Sequence, residues 1–222
     1  MLRSLLFGWR GNVAAAALLG PSAMLLYVPA ALAFPHQARF GSTMVYADRP
    51  IDSAMPRVLA RADALLAASP LDRPGLARTV VLTDGGWRWR LMALGYGGAI
   101  ALRRPFSSVL LFNRSDVARD RVTNGAPIGG VRTLSGTIAH EMTHLLTARR
   151  FGEWRLATMP AWKREGYADV VARETSVGGA ADEALIRARD PQARVLVYYE
   201  GRRRVAAELA RNGGSVDALL GE

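Results

Sequence analysis

Cysteine is absent from the 222-residue chain. Disulfide bonds and thiolate-bound metals are therefore impossible, and metalloenzymes that require a cysteine ligand are excluded. The absence gives no information about the cellular compartment.

Lysine is almost absent as well, because Lys163 is the only lysine among 29 lysine and arginine residues. The net charge of +10 is therefore carried by arginine, a bias that we attribute to genome composition rather than to a partner. No arginine-rich segment is interleaved with aromatic residues as in a nucleic-acid-binding module, so we expect no nucleic-acid partner. If the charge does serve a partner, acidic lipid headgroups are favoured over nucleic acid because of the N-terminal segment.

The N-terminus carries a long uncharged segment. Arg3 and Arg10 precede a mostly apolar run from Val13 to Phe34, which ends near a small-residue site at Ala31 to Ala33. This pattern predicts a signal peptide or an N-terminal membrane anchor at residues 1–34, with one folded domain at 35–222. Both interpretations place the domain outside the cytoplasm, on the periplasmic side of the cell envelope.

Histidine is scarce, yet two of the three histidines occur in His140-Glu141-Met142-Thr143-His144. The surrounding pattern from Thr133 to Arg150 predicts a helix, in which positions four apart lie on the same face. Both imidazoles can then reach a single metal ion. Glu141, beside the first histidine, is placed to take a proton from a water molecule at that ion.

A second segment, Pro160 to Asp169, offers the ligand that the first segment lacks. A catalytic zinc ion usually has three protein ligands, and no histidine follows His144, so the third should be a carboxylate. Glu165 is our prediction for that ligand. Asp169, four positions later, is placed to accept the outer N–H of a ligand histidine. Glycine inside a helix lowers the stability of that helix unless another element must approach closely. Gly166 therefore predicts that the helix with the two histidines packs closely at this position.

The two segments together, His140-Glu-x-x-His144 and Pro160-x-Trp-x-x-Glu165-Gly166-x-Ala-Asp169, resemble the gluzincin zinc metallopeptidases and, more narrowly, their peptidase MA-like members. The resemblance implies His140, His144 and Glu165 as zinc ligands. It also implies Glu141 as the catalytic base and acid. Asp169 would hold a ligand histidine by a hydrogen bond without contacting the metal ion. The exopeptidase signature of the related aminopeptidases and the downstream histidine of thermolysin have no counterpart.

The remaining sequence predicts an α+β fold, zincin-like by the resemblance, with a small mixed sheet of three or four strands packed on two metal-binding helices. Apolar spacing predicts a helix over Asp52 to Ala68. Phe34 to Gly41 is predicted to be a linker. Predicted strands or strand-like segments are Ser42 to Ala47, Thr79 to Leu82, Trp87 to Leu94 (a strand or an amphipathic segment) and Phe106 to Phe112.

Two segments before the metal helix are candidates for the walls of a cleft. By the resemblance, Phe106 to Asn113 would be the edge strand that pairs with an extended substrate, although an ordinary interior strand is nearly as well supported. Asn113 to Val131 is polar and contains glycine, which is compatible with a lid or with a simple connection.

Tyr198 is our candidate for stabilising the oxyanion that forms when a peptide carbonyl is attacked, with Tyr199 as the second choice. A buried aromatic on a packing face is the simpler interpretation of either tyrosine. The pattern Tyr198-x-x-Gly201 is similar to one in the gluzincins.

The expected function is zinc-dependent hydrolysis of peptide bonds in the cell envelope, with Zn²⁺ as cofactor and a peptide or protein as substrate. The alternative is a non-catalytic, zinc-stabilised binding module. The glutamate at the base position favours the enzyme, because structural zinc sites are usually closed four-ligand cages.

Overall fold

A computed structural model describes residues 27–191 and 193–221, and in this part of the chain seven strands form one mixed sheet. The strands are β1 (His36–Phe40), β2 (Thr43–Ala47), β3 (Arg78–Thr83), β4 (Ala101–Arg103), β5 (Val109–Asp116), β6 (Arg121–Thr123) and β7 (Val131–Thr133). Their spatial order is β1-β2-β3-β5-β6-β7, and β4 pairs with β5. β2, β3 and β5 are parallel, while the other pairings are antiparallel.

Eight α-helices are present in the described residues. They are α1 (Met55–Leu66), α2 (Trp87–Ala93), α3 (Leu134–Phe151), α4 (Glu153–Thr158), α5 (Ala161–Ala172), α6 (Ala180–Arg189), α7 (Arg194–Arg211) and α8 (Val216–Gly221). A short 3₁₀ helix spans Pro29–Leu32. The observed fold is therefore mixed α and β with a mixed sheet, which agrees with the α+β class at that level.

The central strands β3 and β5 are covered on both faces, which explains the consecutive apolar residues at 80–82 and 109–112. Successive side chains of a strand point to opposite faces of the sheet. Val80 and Leu82 accordingly join the main core, while Val81 lies in a second core on the other face. Strands buried on both faces are expected to be apolar at every position rather than at alternate ones.

The main core lies between the sheet and the helices that follow it. α1 contributes one apolar stripe, with Met55, Val58 and Ala62 fully or almost fully buried. α3 is buried along most of its length, and Leu134 and Ile138 lie at the centre of this core. α5 packs on α3, and α7 packs on α5.

The second core is smaller and lies on the opposite face of the sheet. Trp89 and Met92 of α2 pack there with Leu32 from the 3₁₀ helix, which is only 5% exposed. Arg88 fixes the backbone of that segment, because its guanidinium donates to the carbonyl of Leu32 at 3.0 Å and to that of Ala33 at 2.9 Å. The end of the N-terminal apolar run is therefore part of the folded domain.

Several predicted elements differ in the structure. The predicted linker from Phe34 to Gly41 contains strand β1, which pairs with β2. The segment predicted as a strand from Trp87 to Leu94 contains helix α2, which ends at Ala93, because Trp89, Met92 and Ala93 bury one helical face. Asn113 to Val131 is neither a lid nor a bare connection. It contains the end of β5, all of β6 and the start of β7.

The prediction that Phe106 to Asn113 forms an edge strand is wrong. The strand begins at Val109 and is paired on both sides, with β3 along one edge and with β4 and then β6 along the other. Its backbone groups are therefore not free to bind an extended peptide.

The predicted signal or anchor at residues 1–34 lies largely outside the described residues, which begin at Tyr27. In the described part of the chain, no helix is both long and apolar enough to span a membrane. Residue 35, the predicted start of the domain, comes three positions after Leu32, which is already buried in the folded domain.

We expect Leu32→Ala to lower the free energy of unfolding of the full-length protein by about 2–5 kcal/mol, because it leaves a cavity in the second core. Val28→Ala is the matched control, since Val28 is 38% exposed. That change should cost less than about 1 kcal/mol. Thermal unfolding in detergent measures both, and an equal loss in the two variants would show that Leu32 is not a core residue.

Candidate metal centre

The helix that carries the two histidines is held firmly at its start. Thr133 caps it by accepting a hydrogen bond from the backbone N–H of Gly136 at 3.1 Å. The carboxylate of Asp120 accepts from both the backbone N–H and the hydroxyl of Ser135, each at 2.7 Å. Glu174 accepts from the backbone N–H of Thr133 at 2.8 Å. Negative charge at a helix N-terminus is stabilising, because the first N–H groups have no partner within the helix.

The helix ends at Phe151, and Gly152 follows with a φ of 94°. A left-handed φ is accessible to glycine without steric cost, so the helix can stop there and the chain can turn into α4. The predicted helix from Thr133 to Arg150 therefore agrees with the observed α3 to within one residue at each end. His140 and His144 lie near its middle, well away from both termini.

Three side-chain atoms converge where α3 faces α5. His140 Nε2 lies 3.1 Å from His144 Nε2, and Glu165 Oε2 lies 3.3 Å from the first and 3.2 Å from the second. Among the described residues, this is the group of histidine and carboxylate side chains that could hold a metal ion. The structure thus brings together the three residues that the sequence predicts as ligands.

The spacing of these atoms fits a small divalent cation. Zinc held tetrahedrally, at about 2.0–2.1 Å from nitrogen and oxygen ligands, places those ligands about 3.3 Å from one another. The three observed separations, from 3.1 to 3.3 Å, match this value. Two imidazoles and one carboxylate are also a donor set that zinc accepts.

Asp169 determines which nitrogen of His140 faces the centre. Its Oδ1 lies 2.8 Å from His140 Nδ1, and because an ionised carboxylate can only accept, the N–H must be on Nδ1. In the neutral imidazole, Nε2 then directs a lone pair toward Glu165 Oε2. Two lone pairs at 3.3 Å repel each other unless a proton or a metal ion lies between them.

Glu165 is itself restrained by its neighbour in the chain. Arg164 Nε donates to Glu165 Oε1 at 2.8 Å, which leaves Oε2 directed at the two imidazoles. The carboxylate therefore offers one oxygen to the centre.

The charges of the site favour a cation. Burial acts to lower the pKa of His140, but hydrogen bonds to Asp169 and Glu165 outweigh it and raise this pKa to about 9. Burial acts to raise the pKa of Glu165, yet the two imidazoles hold it well below its usual range. The pKa of Asp169 is lowered against its burial by His140 and Arg132. The pocket therefore keeps both carboxylates ionised beside the imidazoles.

Arg132 on β7 is a part of the site that the sequence did not predict. Its Nη2 donates to Asp169 Oδ1 at 2.8 Å, and its side chain is 4% exposed. Asp169 is completely buried, so its charge requires a partner in the protein interior. A chain with arginine as almost its only basic residue gives no local signal that could single out this one.

Glu141 follows His140 on α3 and is not one of the three converging residues. It is 6% exposed, and in the described part of the chain its carboxylate has no hydrogen-bond partner. Its oxygens are not among the buried polar atoms that are sealed from solvent. The carboxylate is therefore free to bind a water molecule.

The two candidate tyrosines lie in different surroundings. The ring of Tyr198 is stacked near that of His140, with centroids 6.1 Å apart and planes at 29°. Tyr199 instead packs with Val177 and Ile186 in a separate apolar cluster, and Arg203 lies over its ring. Tyr198 is thus at the site, and Tyr199 is not.

Gly166 is required because another helix crosses α5 closely at this position, although that helix is not α3 as the sequence predicted. A Cβ at Gly166 would lie 2.4 Å from the carbonyl carbon of Gly201 in α7, so no side chain fits. A Cβ at Gly201 would lie 2.7 Å from the backbone oxygen of Trp162. The close approach is made by α7 and not by the metal helix. This contact also explains the spacing Tyr198-x-x-Gly201, because it sets Tyr198 one turn from the crossing.

A cavity of about 620 Å³ lies away from this centre. It is lined by residues 70–73 and 214–217 together with Arg150. Arg150 is ten positions from His140, or about 15 Å along the helix. The cavity is therefore not part of the candidate metal site.

No family model matches the chain, and no significant match was found among curated proteins or solved structures. The function must therefore be argued from the residues of this chain.

We expect the purified full-length protein to bind about one equivalent of zinc, and His144→Ala to lose it, because two ligands remain where three are needed. His36→Ala is the matched control, since His36 is the remaining histidine and lies on β1. Metal analysis after dialysis measures the bound zinc. Retention of a full equivalent by His144→Ala would contradict the assigned ligands.

We also expect Gly166→Ala to weaken zinc binding and to lower the unfolding temperature, because α5 must move away from α7 and carries Glu165 with it. Overpacking of this kind typically costs about 1–3 kcal/mol. Gly221→Ala is the control, since its Cβ would meet only ordinary contact with Phe151 at 3.6 Å. If both variants unfold and bind zinc like the unchanged protein, the crossing does not hold the site in place.

Proposed function

We propose that this protein is a zinc-dependent metallopeptidase of gluzincin type, with a zincin-like arrangement of its sheet and metal helices. The observation that carries the proposal is the convergence of His140, His144 and Glu165, whose ligand atoms lie 3.1–3.3 Å apart. The residue after His140 is Glu141, whose carboxylate has no hydrogen-bond partner among the described residues. Its substrate would be a peptide or protein outside the cytoplasm.

The ligand set supports a catalytic rather than a structural ion. In the described residues the group contains three ligands, whereas structural zinc sites are usually closed by four. A fourth position would remain for water or substrate. When bound, zinc would supply Lewis acidity, which polarises a scissile carbonyl and makes a nearby water more acidic.

Glu141 is the group that would move protons. Its carboxylate would accept a proton from the attacking water and then donate it to the leaving amine. The residue is 6% exposed, and its carboxylate, which has no hydrogen-bond partner among the described residues, could hold the reacting water by a hydrogen bond. Asp169 and Arg132 would hold His140 in the tautomer that presents Nε2 to the ion.

Tyr198 is the candidate donor to the oxyanion. Its ring lies along that of His140, which places the residue at the metal side of α7. A phenolic O–H can donate to negative charge that develops on the carbonyl oxygen. The glycine crossing one turn later fixes the position of α7 relative to Glu165.

An open edge that an extended substrate could use is β4 rather than β5. β4 pairs with β5 on one side, packs against α3, and has no second partner among the described strands. Arg103 of β4 forms a two-pronged ion pair with Glu153, at 2.8 and 2.5 Å, directly after the end of α3. A peptide could therefore add to β4, which packs on the helix that carries the two histidines, through backbone hydrogen bonds.

The test is Glu141→Gln in the full-length protein, assayed with a quenched-peptide library. We expect zinc binding to be retained and hydrolysis to fall by at least about a hundredfold, because only the proton acceptor is removed. Glu200→Gln is the control, since Glu200 is exposed and lies on α7. Full activity in Glu141→Gln would refute the mechanism. Zinc binding without hydrolysis by the unchanged protein would favour the non-catalytic binding module.

A further inference from the structure

Helix α2 is apolar on two faces, although only one of them is covered. Trp89, Met92 and Ala93 face the sheet and are buried. Trp87 and Leu91, four positions apart, form a second stripe along the outer side, and the exposed Leu94 follows directly after the end of the helix. These three side chains are 55%, 36% and 52% exposed, and we call them the outer stripe of α2.

The outer stripe lies where the N-terminal apolar run joins the domain. Arg88 links the two directly, because it donates to the carbonyls of Leu32 and Ala33 while its guanidinium lies 4.6 Å from the centre of the Trp87 ring. Tyr27 and Val28 are also 40% and 38% exposed. The exposed apolar side chains of α2 therefore lie next to the end of the sequence that is predicted to be a signal peptide or a membrane anchor, and the inference below rests on the anchor.

We infer that the outer stripe of α2 rests in the interface of the lipid bilayer to which the N-terminal segment belongs. This inference concerns the position of the domain and does not depend on the metallopeptidase function.

The chemistry of the surface suits a bilayer interface. Tryptophan and tyrosine are enriched there, and Trp87 is joined at the surface by Tyr96, which is 61% exposed. Arg90 is exposed on the same helix and could reach acidic headgroups. The carboxylate of Asp84, just before the helix, accepts a hydrogen bond from the backbone N–H of Gly86 at 2.8 Å.

The size of the surface argues against a second copy of the chain as the occupant. The stripe and Tyr96 together expose roughly a few hundred Å² of apolar surface. A stable protein interface buries about 800 Å² on each partner. A bilayer requires no such area, because the adjoining segment already holds the domain close to the membrane and raises the local concentration of lipid.

The consequence is a fixed orientation. Only a few residues separate Tyr27 from the buried Leu32, and β1 begins at His36. No flexible linker lies between them, so the second core would face the membrane and the helical layer with the metal centre would face away.

The test uses the absence of native cysteine, which allows one label per molecule. Leu91→Cys carrying an environment-sensitive fluorophore is placed in the full-length protein, reconstituted in vesicles of phosphatidylcholine and phosphatidylglycerol. We expect a blue-shifted emission and strong quenching by lipids that carry a spin label at a shallow position in the acyl chain. Leu185→Cys is the matched control, because Leu185 is a 56% exposed leucine on α6.

Quenching of the Leu91 label no stronger than that of the Leu185 label would overturn the inference. A blue shift without lipid quenching, which increases with the density of protein in the vesicle, would instead assign the stripe to a second copy of the chain. Circular dichroism establishes that both labelled variants are folded.

Discussion

The structure of the site depends on the buried carboxylate of Asp169. It accepts hydrogen bonds from His140 on α3 and from Arg132 on β7, while its own backbone belongs to α5. An ionised group with no solvent contact is tolerated only when protein partners compensate its charge. One side chain thus connects the sheet and both ligand-bearing helices, and it also determines which nitrogen of His140 faces Glu165.

The parts of the site that could be predicted from sequence are those that a helix determines locally. His140 and His144, and likewise Glu165 and Asp169, are four positions apart, and the helical repeat alone places each pair on one face. The choice between Tyr198 and Tyr199 could not be made in this way, because it depends on how α7 is rotated against α5. Arg132 was missed because its contact with Asp169 joins positions 37 apart in the sequence.

The class of the fold could be predicted from the sequence, but the pairing of the strands in the sheet could not. The segments of β2, β3 and α1 are predictable from local sequence, because β3 is a β-branched and aliphatic run and α1 has the apolar spacing of a helix. Trp87 to Ala93 was misjudged because alternating tryptophan and arginine imitates a strand, although the same residues also satisfy a helical period. The position of β5 inside the sheet could not be inferred, since strand neighbours are set by contacts that are distant in sequence.

The crossing of α5 and α7 at Gly166 and Gly201 has a consequence for motion. Sliding between packed helices usually takes place across a layer of side chains that can change rotamer. Here the two backbones touch, so that layer is missing at the point of contact. Glu165 and Tyr198 should therefore move together as parts of one rigid unit. Any motion that opens the metal site would have to occur where that unit meets α3 or the sheet.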